Sequence, residues 1–180
     1  MVFQRMVPVK NHTLQIREAI PDDAEKMIEY IEIVSGESKN TGFGPGEFNV
    51  TPEQEREIVS RYLQADNMVF LLGFIDDELV AMANFASSQR PRFRHTGELG
   101  MSVKKKYWRH GIGQAMLQAL IDWAKDTGII RKMNLRVTTY NTAGIGLYEK
   151  MGFKRVGIIT RDMMIDGEFV DTILMGLEID

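Results

Sequence analysis

Two stretches of the chain place apolar residues at the spacing of a helix with one buried face. Residues 27–34 carry such residues at intervals of three and four, after Pro21 and two acids that suit a first helical turn. A longer pattern of the same kind covers residues 112–124 and is followed by Gly128, a typical helix end. The sequence therefore predicts two amphipathic helices and assigns Trp123 to the core.

Two further helices are indicated by their ends. Thr51-Pro52-Glu53-Gln54 has the form of a capping box, in which two side chains each bind a free backbone amide, and it predicts a helix from Pro52 to about Gln64. Asn141 is a good N-cap for a helix that Gly152 closes. Residues 36–49 are rich in Gly, Ser and Asn, which predicts a loop.

Apolar runs between these helices predict strands. They cover residues 14–20, 68–75, 79–85, 98–104, 133–137, 153–159 and 169–177. The acids between the second and third runs favour an antiparallel hairpin. The first dozen residues are expected to be loosely held. Because strands and helices interleave, the predicted fold class is α/β with a mixed sheet, in a single domain over residues 1–180.

Composition excludes several kinds of function. A net charge of −3 gives no general attraction to nucleic acid or to an anionic membrane. The sequence has no cysteine, which excludes an acyl-enzyme on a thiol and a zinc–thiolate site, and no metal site is expected. No apolar run reaches the length of a membrane span or a signal sequence, so a soluble, cytoplasmic protein is expected.

The stretch with candidate chemistry leads from a strand into the start of the 112–124 helix. Amides at a helix N-terminus have no partner within the helix, and the helix dipole adds partial positive charge there. Gly111 and Gly113 lack Cβ atoms, so an anion such as pyrophosphate can approach the main chain. A P-loop would need a GK[ST] ending, and a dinucleotide fingerprint would need glycine in place of Met116. Neither pattern is present, and a strand-to-helix turn without a ligand is the alternative.

This segment resembles the coenzyme A loop of the GNAT family of N-acetyltransferases, whose pattern is R/Q-x-x-G-x-G/A after a strand. Gly111 and Gly113 match the two glycines. Trp108 stands at the R/Q position, with Arg109 one place later.

Residues 141–153 resemble a second signature of the same family, N-x-x-A-x-x-L-Y-x-x-x-G-F. Asn141 and Tyr148 match it, and Gly144 takes the place of the alanine. The resemblance covers most of the chain, from Leu14 to Leu177, in the order of elements as well as in motifs.

The resemblance implies a mostly antiparallel sheet flanked by helices and splayed between the fourth and fifth predicted strands, with acetyl-CoA as co-substrate. It implies that coenzyme contacts come from the backbone of the fourth strand, the amides of the glycine loop and the second signature, namely Met101, Ser102, Val103, Arg109, His110, Gly111, Ile112, Gly113, Gln114 and Asn141. It also places Tyr148 near the sulfur, as the candidate general acid.

The general base is open at this stage. Some relatives use a glutamate on the strand before Asn141, where this chain has Arg136. Glu98 is the remaining candidate, with an exposed acid at a strand end as an equal alternative. His95 and His110 are weaker candidates, and Glu47 is a candidate for selecting a cationic acceptor.

Two basic runs allow either a binding or a merely solvated role. Residues 90–94 alternate arginine with Pro91 and Phe93, which suits an acidic acceptor, the coenzyme's ribose phosphate or a solvated hairpin tip. Residues 104–106 are three lysines that either strengthen the field near the phosphates or form a solvated turn.

The favoured function is direct acetyl transfer to a primary amine of a small molecule or a protein N-terminus. The alternatives are a non-catalytic acyl-CoA-binding sensor or interaction module with the same fold, and a nucleotide-binding module. Nucleic acid and membrane partners are not expected, and a homodimer is possible because the last strand supports dimers in similar proteins.

Overall fold

Eight strands form one sheet in the computed structural model, which describes residues 3–180. The strands are β1 (Gln4–Val9), β2 (His12–Glu18), β3 (Val69–Ile75), β4 (Glu78–Ser87), β5 (Thr96–Val103), β6 (Lys132–Thr138), β7 (Lys154–Ile165) and β8 (Glu168–Glu178). The helices are α1 (Ala24–Glu37), α2 (Pro52–Gln64), α3 (Ile112–Thr127) and α4 (Thr142–Lys150). The strand order is β1-β2-β3-β4-β5-β6-β8-β7, and the predicted mixed α/β class is confirmed.

The two faces of the sheet carry different helices. On one face, α3 and the Ile145 side chain of α4 pack against a large apolar core that includes Leu99, Leu135 and Ile173. On the other face, Val59 of α2 belongs to a smaller core together with side chains of α1, β3 and β4. Because side chains alternate along a strand, each strand near the middle of the sheet presents one set of residues to α3 and the other to α1 and α2.

The pairing of β5 with β6 is short, and every other neighbouring pair in the sheet is antiparallel. The parallel ladder joins only Thr96, Gly97 and Glu98 of β5 to residues 132–134 of β6. Both strands continue beyond this ladder, β5 to Val103 and β6 to Thr138. Among the described residues, the edge of β5 that faces β6 therefore has no ladder partner from residue 99 onward.

The predicted helix ends are confirmed in atomic detail. The Thr51 hydroxyl accepts a hydrogen bond from the Gln54 amide at 3.2 Å, and the Gln54 side-chain oxygen accepts one from the Thr51 amide at 2.9 Å. Gly128 ends α3 with φ of 63°, a left-handed conformation that glycine adopts without strain. These caps explain why α2 and α3 begin and end where the sequence predicts.

The expectation that the first dozen residues are loosely held is wrong for the part that the structure describes. Strand β1 pairs along its length with β2, and its Val7 and Val9 side chains pack against the core. Pro8 interrupts the alternation of polar and apolar residues that would predict β1. Proline cannot donate to a strand ladder and is tolerated in a strand only at an edge or a bulge. Strand β1 is such an edge strand. Met1 and Val2 lie outside the described residues.

Candidate functional site

The loop before α3 presents a row of backbone amides without partners. Within residues 3–180, no hydrogen bond is formed by the amides of residues 109–114. Arg109 and Gly111 both have positive φ, 62° and 84°, and Gly111 is the N-cap of the helix. Alternating left-handed residues at a helix N-terminus turn successive N–H groups toward a common side, an arrangement that binds anions.

Gly113 has a different role from Gly111. A Cβ atom at Gly113 would lie 3.3 Å from the Leu147 side chain of α4, so glycine here allows α3 and α4 to approach each other. In the same cleft, the Lys150 ammonium donates to the Gln114 side-chain oxygen at 2.9 Å. Lys150 therefore adds a cation beside the free amides. Sequence reasoning missed it, although it lies nine residues after Asn141 on a predicted helix.

Trp108 holds the loop against the end of β5. Its indole nitrogen donates to the Val103 carbonyl at 2.8 Å. The Lys10 amide of the β1–β2 turn donates to the His110 carbonyl at 3.0 Å, which ties the N-terminal hairpin to the same loop. Trp108 thus has a structural contact at the position where the family pattern has Arg or Gln.

Two of the three lysines before the loop are bound by one carboxylate. Glu78 accepts hydrogen bonds from Lys104 at 3.0 Å, Lys106 at 2.8 Å and the Tyr107 hydroxyl at 2.9 Å. Partial burial of Glu78 opposes its ionisation, but the hydrogen bonds from Lys106, Lys104 and Tyr107 outweigh it and lower its pKa to about 2. Two of the three lysines therefore anchor the segment before α3, and the Lys105 side-chain nitrogen lies 6.0 Å from the centre of the Trp108 ring.

Strand β5 offers main-chain groups on its open edge. The Lys104 amide donates to the Val80 carbonyl of β4, so the polar groups of Lys104 point toward β4. The main-chain N–H and C=O groups of successive residues in a strand point in opposite directions. The groups of Val103 and Met101 therefore point away from β4, toward the side on which β6 lies. The main-chain groups of Ser102 point toward β4, and its hydroxyl lies 3.1 Å from the Tyr30 hydroxyl of α1.

The second signature places Asn141 and Tyr148 at opposite ends of α4. The Asn141 side-chain oxygen accepts from the Gly144 amide at 3.0 Å, confirming the predicted N-cap. Tyr148 is half-buried against the core, with its ring 6.0 Å from that of Phe153. Burial raises the pKa of Tyr148 to about 12, so its hydroxyl stays protonated at neutral pH.

The acid nearest the end of the β5–β6 ladder is engaged with a guanidinium. Arg136 donates from Nε to Glu98 at 2.9 Å and from a terminal nitrogen to Asp162 at 3.3 Å. The hydrogen bond that Arg136 donates to Glu98 raises the pKa of Arg136. Thr172 also donates to Asp162, at 2.6 Å. Glu98 and Arg136 lie on the face of the sheet that α1 and α2 cover, beside the end of the β5–β6 ladder.

The remaining candidate residues are exposed or make contacts within their own part of the structure. His95 is exposed, and His110 bonds through its ring nitrogen to the Trp108 carbonyl. Glu47 accepts from the Gly44 amide within its own loop at 2.7 Å. Arg94 pairs with Asp66, so residues 90–94 include at least one structural ion pair.

The loop after α1 closes over the end of β6 and the tip of the last hairpin. Lys39 forms an ion pair with Asp166, and the Tyr140 hydroxyl donates to the Lys39 carbonyl at 3.0 Å. Asn40 contacts the Thr138 hydroxyl at 3.4 Å. This loop therefore borders the same face as Arg136, on the opposite side of the sheet from α3.

The free amides before α3, the open edge of β5 and α4, which carries Tyr148, are neighbours, since a Cβ atom at Gly113 would lie near Leu147, Met101 and Val103. No helix within residues 3–180 is both long and apolar enough to cross a membrane.

Comparisons with known proteins identify the family and similar folds. A model of the acetyltransferase (GNAT) family matches residues 38–153. A crystal structure of an acetyltransferase of the GNAT family from Streptococcus pneumoniae is 35% identical, with a TM-score of 0.90, and the match covers 93% of this chain and 99% of that one. The structure of yncA from Salmonella typhimurium, a protein described as a putative acetyltransferase with its cofactor acetyl-CoA, shares the fold at 20% identity, with a TM-score of 0.81 and coverage of 98% and 95%.

Curated relatives match over shorter stretches. The L-amino acid N-acetyltransferase AaaT of Escherichia coli is 27% identical over 105 residues, which are 58% of this chain and 65% of AaaT. An N-alpha-acetyltransferase of Sulfurisphaera tokodaii is 38% identical over 70 residues, which are 39% of this chain and 41% of that protein. The chain thus spans less than two thirds of the length of these two relatives.

Proposed function

Because the chain belongs to the GNAT family of acetyltransferases, we propose that it transfers the acetyl group of acetyl-CoA directly to a primary amine of a small molecule or of a protein N-terminus. The observation that carries the proposal is the row of unpartnered amides at residues 109–114, adjoining the open edge of β5. Two relatives, one named an L-amino acid N-acetyltransferase and the other an N-alpha-acetyltransferase, support an amine as the acceptor.

The proposed coenzyme contacts follow the line of free groups. The amides of Arg109, His110, Gly111, Ile112, Gly113 and Gln114 hold the pyrophosphate, with Lys150 beside them. The main-chain groups of Met101 and the amide of Val103 bind the pantetheine arm as a partner strand would, while the Val103 carbonyl accepts from Trp108. Ser102 lies between these two residues, with its main-chain groups toward β4. The Asn141 side-chain nitrogen, whose neighbouring oxygen is fixed by the cap, donates to the arm.

The proposed chemistry is one direct substitution. The amine nitrogen forms a bond to the thioester carbonyl carbon, the carbon–sulfur bond breaks, and the electron pair leaves with sulfur. The departing thiolate takes a proton from the Tyr148 hydroxyl, which solvent later restores. The amine loses its surplus proton to Glu98, directly or through water. Since the sequence has no cysteine to carry the acetyl group, both substrates are bound together.

The test is an acceptor screen that measures released coenzyme A thiol with amines, amino acids and N-terminal peptides. We expect at least one primary amine to be acetylated, and Tyr148→Phe to lower kcat about 100-fold at unchanged affinity for acetyl-CoA, since general acid catalysis contributes on that order. Tight binding of acetyl-CoA without transfer to any amine would instead support a sensor or interaction module.

A homodimer remains a proposal, supported by the exposed apolar side chains of the edge strand β7.

A further inference from the structure

Asn84 and Gly100 face each other across β4 and β5 on the α1–α2 side of the sheet. They are direct partners in the antiparallel ladder, so their Cα atoms are neighbours and point to the same face. Gly100 lies in the part of β5 beyond the β5–β6 ladder. This pair is therefore beside the edge where the proposed thioester arm lies.

The Asn84 amide is held in one orientation. Its nitrogen donates to the Tyr62 hydroxyl of α2 at 3.1 Å, and the Tyr62 ring packs 5.3 Å from Phe70 of β3. Burial raises the pKa of Tyr62, so the hydroxyl stays neutral and remains a hydrogen-bond partner for the amide. With the nitrogen fixed on Tyr62, the Asn84 oxygen is directed toward Gly100.

Gly100 leaves a notch beneath that oxygen. A Cβ atom at Gly100 would lie 2.9 Å from the Asn84 oxygen, closer than such atoms approach in proteins. Gly100 is exposed and Asn84 is partly exposed. Hence the oxygen borders an open space above β5 that any side chain at position 100 would enter.

We propose that the Asn84 oxygen accepts a hydrogen bond from the acceptor amine in the notch above Gly100, and so aims the nitrogen at the thioester. The proposal rests on the proposed acetyl transfer and names a residue that binds its second substrate. On the opposite face of the sheet, α4 carries Tyr148, so the attacking nitrogen and the proton donor act from two sides of the β5–β6 interval.

A neutral acceptor suits this task better than a carboxylate. The attacking amine must be unprotonated, and an adjacent negative charge favours the ammonium form, raising an amine's pKa by about one unit or more. An amide oxygen binds an N–H group with much less of that effect. The titratable groups on this face include Glu98 of β5, Arg136 of β6, Asp162 of β7, Tyr30 of α1, and Glu55 and Tyr62 of α2. Arg17 of β2 and Lys26 of α1 lie farther along it, over the Phe74 ring.

The experiment compares Asn84→Asp and Asn84→Ala with the parent, using the primary amine turned over fastest in the acceptor screen. Asn84→Ala removes one hydrogen bond and should raise the KM for the amine about tenfold, with the Kd for acetyl-CoA unchanged. Asn84→Asp keeps the shape and the contact with Tyr62. It should move the pH of half-maximal kcat upward by about one unit, because kcat reports ionisations in the bound complex.

A second pair of variants tests the notch itself. Gly100→Ala should reproduce the rise in amine KM, since its methyl group displaces the Asn84 oxygen. Gly157→Ala is the matched control, because Gly157 also lies in a strand and nothing is within 4 Å of its added Cβ. It should leave the amine KM unchanged.

The outcomes separate this inference from the proposed function. If an amine is acetylated but Asn84→Asp leaves the kcat–pH profile in place, and Asn84→Ala and Gly100→Ala leave the amine KM within twofold, Asn84 does not bind the acceptor while the acetyl transfer stands. If acetyl-CoA binds and no amine is acetylated, the proposed function fails and the inference with it.

Discussion

Among single residues, Glu98 can be understood only together with Arg136. The carboxylate accepts from the guanidinium at 2.9 Å, and Arg136 also contacts Asp162. One Glu98 oxygen is engaged in this pair, so the proposed proton transfer uses the other. The ion pair is half-exposed, and pairs of that kind contribute little to stability. Its effect on the reaction should therefore be separable from its effect on the fold.

Comparing Glu98→Gln with Arg136→Gln separates the two effects. If Glu98 takes the amine proton, Glu98→Gln lowers kcat about 100-fold, whereas Arg136→Gln frees the carboxylate and costs much less. Steady-state kinetics of both variants measure this difference. Equal, small losses would mean that the pair matters only for structure.

Glu78 predicts a dependence of stability on pH. Its pKa is lowered to about 2 from an ordinary value of 4.5, since Lys106, Lys104 and Tyr107 bind the ionised form. The resulting stabilisation is complete above pH 4.5 and is lost as the pH falls toward 2. Glu78→Gln should therefore lower the free energy of unfolding by about 1 kcal/mol at pH 7, a value reduced for solvent screening of this partly exposed group.

Denaturant unfolding at pH 7 and pH 3 measures the Glu78 effect, and most of the difference from the parent should disappear at the lower pH. Asp77→Asn is the control, because it removes a carboxylate one residue away and asparagine tolerates the left-handed backbone there. A loss that is equal at both pH values would show that the ion pairs do not cause it.

At the scale of elements, the α4 cap allows stability and coenzyme binding to be tested separately. Asn141→Ala removes the cap and should lower the free energy of unfolding by about 1 kcal/mol. Asn141→Asp keeps an oxygen for the Gly144 amide but loses the nitrogen donor. We expect this variant to keep the parent's stability and to bind acetyl-CoA about tenfold more weakly. Calorimetric titration would contradict the proposed contact if Asn141→Asp bound as tightly as the parent.

Elements with local signals could be predicted from the sequence, and those set by distant contacts could not. The Thr51–Gln54 capping box and Gly128 define α2 and α3 through bonds within a few residues. Strand β1 was missed because Pro8 interrupts its pattern and its stability comes from β2 and the core. The loop after α1 depends on the Lys39–Asp166 pair, which joins residues far apart in the chain.

In the candidate site as well, features with local signals could be predicted and those set by distant contacts could not. The free amides around Gly111 follow from a helix N-terminus and were predicted from motif and spacing. The Glu98–Arg136 pair and the Asn84–Gly100 notch depend on the register between strands, which the sequence does not specify. Lys150 and the Trp108–Val103 bond needed the packing of α3 and the loop as well.

At the scale of the whole molecule, the proposed coenzyme binding depends on the free backbone amides beside α3 and α4. The amides of residues 109–114 bind no group within residues 3–180, and they lie beside the open edge of β5. A diphosphate alone would use only part of this surface, whereas acetyl-CoA would use the loop, the edge of β5 and Asn141 together. Affinity should therefore require both ends of the ligand.

Calorimetric titration of the intact protein with acetyl-CoA, ATP, NAD and acetyl-pantetheine tests this claim most directly. We expect acetyl-CoA to bind at least 100-fold more tightly than each of the others, because every other ligand lacks either the pyrophosphate or the thioester arm. Equal affinity for acetyl-CoA and acetyl-pantetheine would contradict the role of the amides at residues 109–114. Equal affinity for acetyl-CoA and ATP would contradict the role of β5.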